Sequence, residues 1–251
     1  MIAGYDEFEF DLPDALLSSL VRFFDQIGAA PLSALNLKEI PEAQGVYMLL
    51  LGGSVAYIGK TDSDAGLKPR LERHAWTIQH RQGLDVADIT FKAVRIFVFT
   101  AMDLETQLIR HYNPAPWNKS GFGSNDPGRN RDHTDLKPEG FDAQFPIDLD
   151  REVNVTYSSG SGVADVLNAL RKELPYTLRV EAIRKGAKKP HRDIVEAVMR
   201  ATARFPVTTR KVLEVVVNSL PSGWQATALA GRIILYRENF DYEFGTLIAR
   251  S

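Results

Sequence analysis

GVYMLLLGGSVAYIGK, residues 45–60, is the stretch on which the fold turns. Two short apolar runs flank Gly52 and Gly53, and a Gly-Gly pair supplies the positive φ values of a tight hairpin turn. The stretch therefore reads as two antiparallel strands. Tyr47 lies on the first and Tyr57 on the second; both are odd-numbered, so strand alternation directs them to one sheet face.

Working downstream, Leu71, His74, Ala75 and Ile78 recur at helical spacing, which predicts a helix over 69–81 with Pro69 tolerated in its first turn. ITFKAVRIFVF, residues 89–99, alternates as a third strand. Residues 100–112 follow as a helix, with Thr100 and Asp103 as a capping box and Leu104, Leu108 and Ile109 on one face. Upstream, Leu16, Leu17, Leu20, Val21, Phe24 and Ile27 form an amphipathic stripe, with Asp14 as cap and Gly28 as stop. The expected fold is α+β: a three-stranded antiparallel sheet flanked by helices, preceded by a helical extension.

Residues 113–150 lack periodicity and are rich in Gly, Pro, Asn and Asp, a composition that in so long a connection points to function. Beyond them, helices are expected over 163–172, 194–204 and 208–220, and a hairpin over 224–229 and 232–237 around Gly231. The chain accordingly divides into an acidic N-terminal extension (1–44), a core (45–118), a Gly-rich basic loop (119–150) and a mixed α/β C-terminal lobe (151–251).

The 251 residues contain no cysteine, which excludes disulfides, thiolate nucleophiles, zinc ribbons and iron–sulfur clusters together and fits a reducing cytoplasm. The start of the chain lacks the basic and apolar regions of a signal peptide, and no run approaches the length of a membrane span. A cytoplasmic protein is expected. Net charge is −2, but it is polarised: residues 1–44 carry eight acidic and two basic side chains, residues 151–251 ten acidic and sixteen basic. The basic half suits phosphates.

Several polar residues fall at telling places: Tyr47 and Tyr57 on the hairpin, Lys60 after it, Arg70 and His74 one helical turn apart, Glu105 in a first helical turn and Asn118 in HYNPAPWN. Taken singly, each has an ordinary reading as a packing tyrosine, a surface arginine or a carboxylate at a helix start. In order, GVY, nine residues, YIGKT, a helix Arg and then Glu and Asn resemble the signature of the GIY-YIG nuclease superfamily over residues 45–118, with Val46 in place of Ile.

That resemblance implies a DNA endonuclease whose catalytic residues are Tyr47, Tyr57, Lys60, Arg70, His74, Glu105 and Asn118. Glu105 would hold one Mg2+, with Mn2+ able to substitute, and Arg70 would meet charge developing on the phosphate. Tyr47 is the candidate base, although a phenol with an ordinary pKa of about 10 needs cationic help from Lys60, Arg70 or the metal. The choice of base among Tyr47, Tyr57 and His74 stays open.

KSGFGSNDPGRNRDHT, residues 119–134, resembles an insertion in GIY-YIG type II restriction endonucleases, particularly the branch that cuts CCGCGG. The implied activity is site-specific hydrolysis of double-stranded DNA that leaves 5′-phosphate and 3′-hydroxyl ends. Lys119, Arg129 and Arg131 of this loop, and Lys185, Lys188, Lys189 and Arg192 of a basic run, are the candidate DNA contacts. A palindromic site is most simply read by a two-fold homodimer. The alternatives are another GIY-YIG nuclease, of repair or homing type, and a DNA-binding protein that keeps the fold without catalysis.

Overall fold

The computed structural model describes residues 4, 7, 11–62, 64–97, 104–119, 121–123, 128–133, 137–184 and 186–251. Its chain falls into two units, residues 1–75 with 86–118 and residues 76–85 with 119–251.

In the first unit, α1 (Leu12–Gln26) starts from Asp11, whose carboxylate accepts the Asp14 N–H at 2.9 Å. Asp11, rather than Asp14, is the cap, because Pro13 fills an early helical position that needs no N–H donor. The helix ends as Ile27 turns to extended backbone, one residue before the expected stop at Gly28. A two-residue strand β1 (Ala30–Pro31) and a short α2 (Ala34–Leu37) lead to the hairpin of β2 (Gly45–Leu51) and β3 (Ser54–Thr61). Gly52 and Gly53 sit at φ +57° and +82°, the left-handed region that the tight turn requires.

α3 (Leu67–Gln79), β4 (Ile89–Arg95) and α4 (Leu104–His111) follow. The expected capping pair Thr100 and Asp103 lies outside the described residues. Among the described residues the sheet order is β1-β4-β2-β3, all antiparallel. The three expected strands are present. β1 is an additional edge strand, too short to show alternation and placed where Pro31 need not donate to a ladder.

β2 is central and almost wholly buried, so its two faces serve two packings. Val46, Met48 and Leu50 join Ile58 of β3, Leu20 and Phe24 of α1, and Leu104 and Leu108 of α4 in one apolar core. The other face carries Tyr47 and Leu49, which register opposite Gly59 and Tyr57.

In the second unit come α5 (Phe141–Gln144), α6 (Val163–Glu173), β5 (Thr177–Val180), α7 (Arg192–Glu196), α8 (Thr209–Ser219), β6 (Gln225–Leu229), β7 (Arg232–Tyr236) and β8 (Gly245–Arg250). The sheet order is β5-β7-β6-β8, with β5 parallel to β7 and the remaining pairs antiparallel. α6, α8 and the expected β6–β7 hairpin enclose a core around the fully buried Trp224. The helix expected over 194–204 stops at Glu196. Residues 197–203 instead exchange backbone hydrogen bonds with residues 157–163, among them Val163 N to Ala197 O and Met199 N to Ser161 O. A tertiary partner there outweighs local propensity.

Candidate active site

The hairpin register decides which side chains meet. Tyr47 and Tyr57 share a sheet face as diagonal neighbours, ring centroids 6.1 Å apart, and α3 lays Arg70 and His74 over them. The Tyr47 hydroxyl lies 2.8 Å from His74 Nε2, and Arg70 donates from Nε to the same hydroxyl at 3.4 Å. The His74 ring packs 5.5 Å from the Tyr47 ring and 5.2 Å, edge-on, from the Tyr57 ring.

Gly59, opposite Tyr47, makes this possible: a Cβ there would overlap the Tyr47 hydroxyl and ring. Gly59 lies inside the YIG motif, where periodicity alone assigns it no role. Its signal is the registry itself, since the residue directly across from a buried ring must leave it room.

Burial sets the proton inventory. Burial pushes the Tyr47 phenol far above its ordinary value; Tyr57 and Glu105 push the same way and Arg70 opposes them. Tyr57 is also raised, first by burial. His74 is pushed down to about 3, by burial first and then by Arg70 and Arg73. At neutral pH, therefore, Tyr47 is a phenol hydrogen-bonded to Nε2 of a neutral His74. The expected cationic help from Arg70 is present but does not outweigh burial, so in the free protein Tyr47 does not rest as a phenolate.

Lys60 belongs to the opposite parity of β3 and its Nζ lies 3.9 Å from Glu105 Oε2. Glu105, in the first turn of α4, keeps 28% of its side-chain surface exposed and its charge acts on both tyrosines. Among the described residues no three His, Asp or Glu side chains converge. A cation at Glu105 would meet hard carboxylate oxygen and draw much of its shell from water and substrate oxygens. Those donors fit a small, hard divalent ion that dehydrates reluctantly.

Asn118, expected among the catalytic residues, is bonded to the backbone of β3. Its Oδ1 accepts the Ile58 N–H at 2.8 Å and its Nδ2 donates to the Ile58 carbonyl at 2.7 Å. It continues the hydrogen-bond ladder of the outer strand β3 in place of another strand, and so fixes the backbone next to Tyr57.

The expected DNA contacts are not equivalent. Arg129 is engaged by Glu181 at 2.8 Å and Glu238 at 3.7 Å, and its guanidinium stacks 4.0 Å over the Tyr236 ring. Arg192 is an exposed partner of Glu196 at 2.6 Å. Arg131, Lys188 and Lys189 are exposed. Lys119 ends the short 3-10 helix Pro116–Lys119, and its side chain and the whole of Lys185 lie outside what is described.

Residues 45–139 match the family model of the Eco29kI GIY-YIG domain, a restriction endonuclease family. The match takes in Tyr47, Tyr57, Arg70, His74, Glu105 and Asn118 and runs on through the Gly-rich loop. This stretch is therefore similar to a GIY-YIG nuclease domain, a class that acts on DNA and typically uses divalent metal ions. No curated protein matches the chain. No helix among the described residues is long and apolar enough to cross a membrane.

Proposed function

We propose that the chain is a site-specific type II restriction endonuclease of the cytoplasm that hydrolyses phosphodiester bonds in double-stranded DNA by in-line attack of water. The observation that carries this reading is the buried Tyr47–His74 hydrogen bond of 2.8 Å, with Arg70 on the same hydroxyl and the carboxylate of Glu105 nearby, inside the stretch that matches the nuclease family.

The geometry supports a proton relay. As water attacks phosphorus, its proton passes to the Tyr47 oxygen while the Tyr47 proton moves to His74 Nε2, so the oxygen acts as a base without ever resting as a phenolate. The cost of charging His74 falls when an anionic phosphate enters beside it. Arg70 offers its remaining N–H groups to the phosphoryl oxygens, and Tyr57 orients water or phosphate. A divalent ion held by Glu105, taken here to be Mg2+, would stabilise the charge on the phosphate and on the leaving oxygen. Asn118 holds β3 and with it Tyr57.

The products of this chemistry are 5′-phosphate and 3′-hydroxyl ends. Among the described residues the chain carries one such site, so a palindrome is cut on both strands by a homodimer. Digestion of genomic DNA of known sequence, with Mg2+ and with chelator, tests the reading. Metal-dependent fragments whose sequenced ends map to one palindrome are expected; binding without cleavage would leave the non-catalytic alternative standing.

A further inference from the structure

Asp132 is the most deeply buried carboxylate described in the second unit: its side chain has no exposed surface. It is surrounded by donors drawn from two strands. Arg179 of β5 reaches both its oxygens at 2.8 and 2.7 Å, Arg232 of β7 donates at 2.7 Å, and the Tyr236 hydroxyl donates at 2.9 Å. Arg232 also grips the Arg131 carbonyl at 2.7 Å.

An ion cluster of this kind is a poor source of net stability, since desolvating a carboxylate and two guanidinium groups consumes most of what their attraction returns. What it provides is position. The turn of 3-10 helix Arg129–Arg131 is tied at Asp132 and at the Arg131 carbonyl, and Gly128 enters it at φ +81°. Of the two arginines on that turn, Arg129 is spent on Glu181, Glu238 and Tyr236. Arg131 is exposed, and among the described residues no carboxylate meets its guanidinium.

We infer that Arg131 contacts the DNA duplex and that Asp132, through Arg179, Arg232 and Tyr236, is the positioning residue that presents it. This rests on the reading of the chain as a DNA endonuclease. It divides the expected roles in the loop: Arg129 belongs to the support and Arg131 to the substrate. It also makes recognition depend on residues beyond the family match, since Arg179, Arg232 and Tyr236 all follow residue 139.

The test uses the full chain with Mg2+, on genomic DNA of known sequence to map the cut site and then on a duplex carrying that site. Arg131→Ala, a surface change, is expected to keep the wild-type melting temperature and to slow cleavage at the mapped site by about tenfold or more. A fall of about one in the salt slope of binding assigns the contact to a phosphate, whereas relaxed sequence at one base position assigns it to a guanine edge. Asp132→Asn is expected to slow cleavage too, yet to add nothing in an Arg131→Ala background, because it acts through that side chain. Tyr236→Phe, which removes one hydrogen bond and keeps the ring, repeats this coupling more gently should Asp132→Asn fail to fold.

Independent, multiplying losses would make Asp132 a purely structural residue and overturn its positioning role. Arg131→Ala cleaving the mapped site at the wild-type rate would overturn the inference alone. A wild-type chain that makes no mapped cuts would overturn the endonuclease reading, and the inference with it.

Discussion

Polar groups are gathered in opposite ways in the two units. Around the hairpin, Tyr47 meets Arg70 and His74 across 23 and 27 residues, through one hairpin and the next helix. In the second unit Asp132 meets Arg232 and Tyr236 across 100 and 104 residues. The first arrangement follows from local geometry: a two-residue turn, a register shift just beyond it that brings Tyr47 and Tyr57 to one face, and one helical repeat. The second forms only when a whole sheet is assembled, and it holds a loop in place. On the proposed function the contrast would separate chemistry, compact in sequence, from substrate recognition, dispersed through it.

Changes near the hairpin are expected to remove cleavage and spare binding, whereas changes in the second unit are expected to weaken binding and to slow cleavage through it. The largest effect is expected for Glu105→Gln: cleavage slowed about a thousandfold, with retention of the same duplex in a filter or gel assay. Full activity in this variant would end the assignment of Glu105. His74→Ala and Tyr47→Phe are each expected to slow single-turnover cleavage about a hundredfold, the double variant being little slower than either because the two form one relay. A Tyr47→Phe protein that cuts normally would remove the relay.

The third effect is on stability. His74 has its folded pKa lowered to about 3, below its ordinary value of 6.5, so the unfolded chain binds the extra proton between those limits. Stability from this group is complete above pH 6.5 and is lost as pH falls toward 3. Thermal melts from pH 7 to 4 should therefore show a decline that is flatter in His74→Gln; parallel profiles would contradict the burial of a neutral imidazole. The smallest effect belongs to the exposed run of the second unit. Lys188→Ala combined with Lys189→Ala should weaken duplex binding a few-fold and reduce its salt slope by about two, with the single-turnover rate at saturation unchanged. An unchanged slope would return both lysines to ordinary surface.

The hairpin, α3, β4 and α4 were legible because each carries a clear period. The shared face of Tyr47 and Tyr57 did not follow from the turn: the register set by Leu51 opposite Ser54 would separate them, and the shift between Leu49 and Leu50 brings Tyr57 opposite Leu49 and so to the face of Tyr47. The second unit was legible only where helices are long or a glycine marks a turn. β5 and β8 were not foreseen: one is four residues long, the other partly exposed, and each is recruited by pairing with a distant strand. Within the site, the residue types were readable but their partners were not. Lys60 was expected to help Tyr47 and lies against Glu105, and Asn118 was expected in the chemistry and laces β3.

Sequence by itself determined the order of strands and helices around residues 45–112, because periodicity and turn chemistry act over a few residues; the face that Tyr57 takes was decided by the register shift in the hairpin. The tertiary structure alone decided the protonation of Tyr47 and His74, the pairing of Arg129 with Glu181, and the burial of Asp132 among Arg179, Arg232 and Tyr236. Each of these depends on how much water is excluded and on which distant charge lies within a few ångströms, quantities that exist only once the chain has packed.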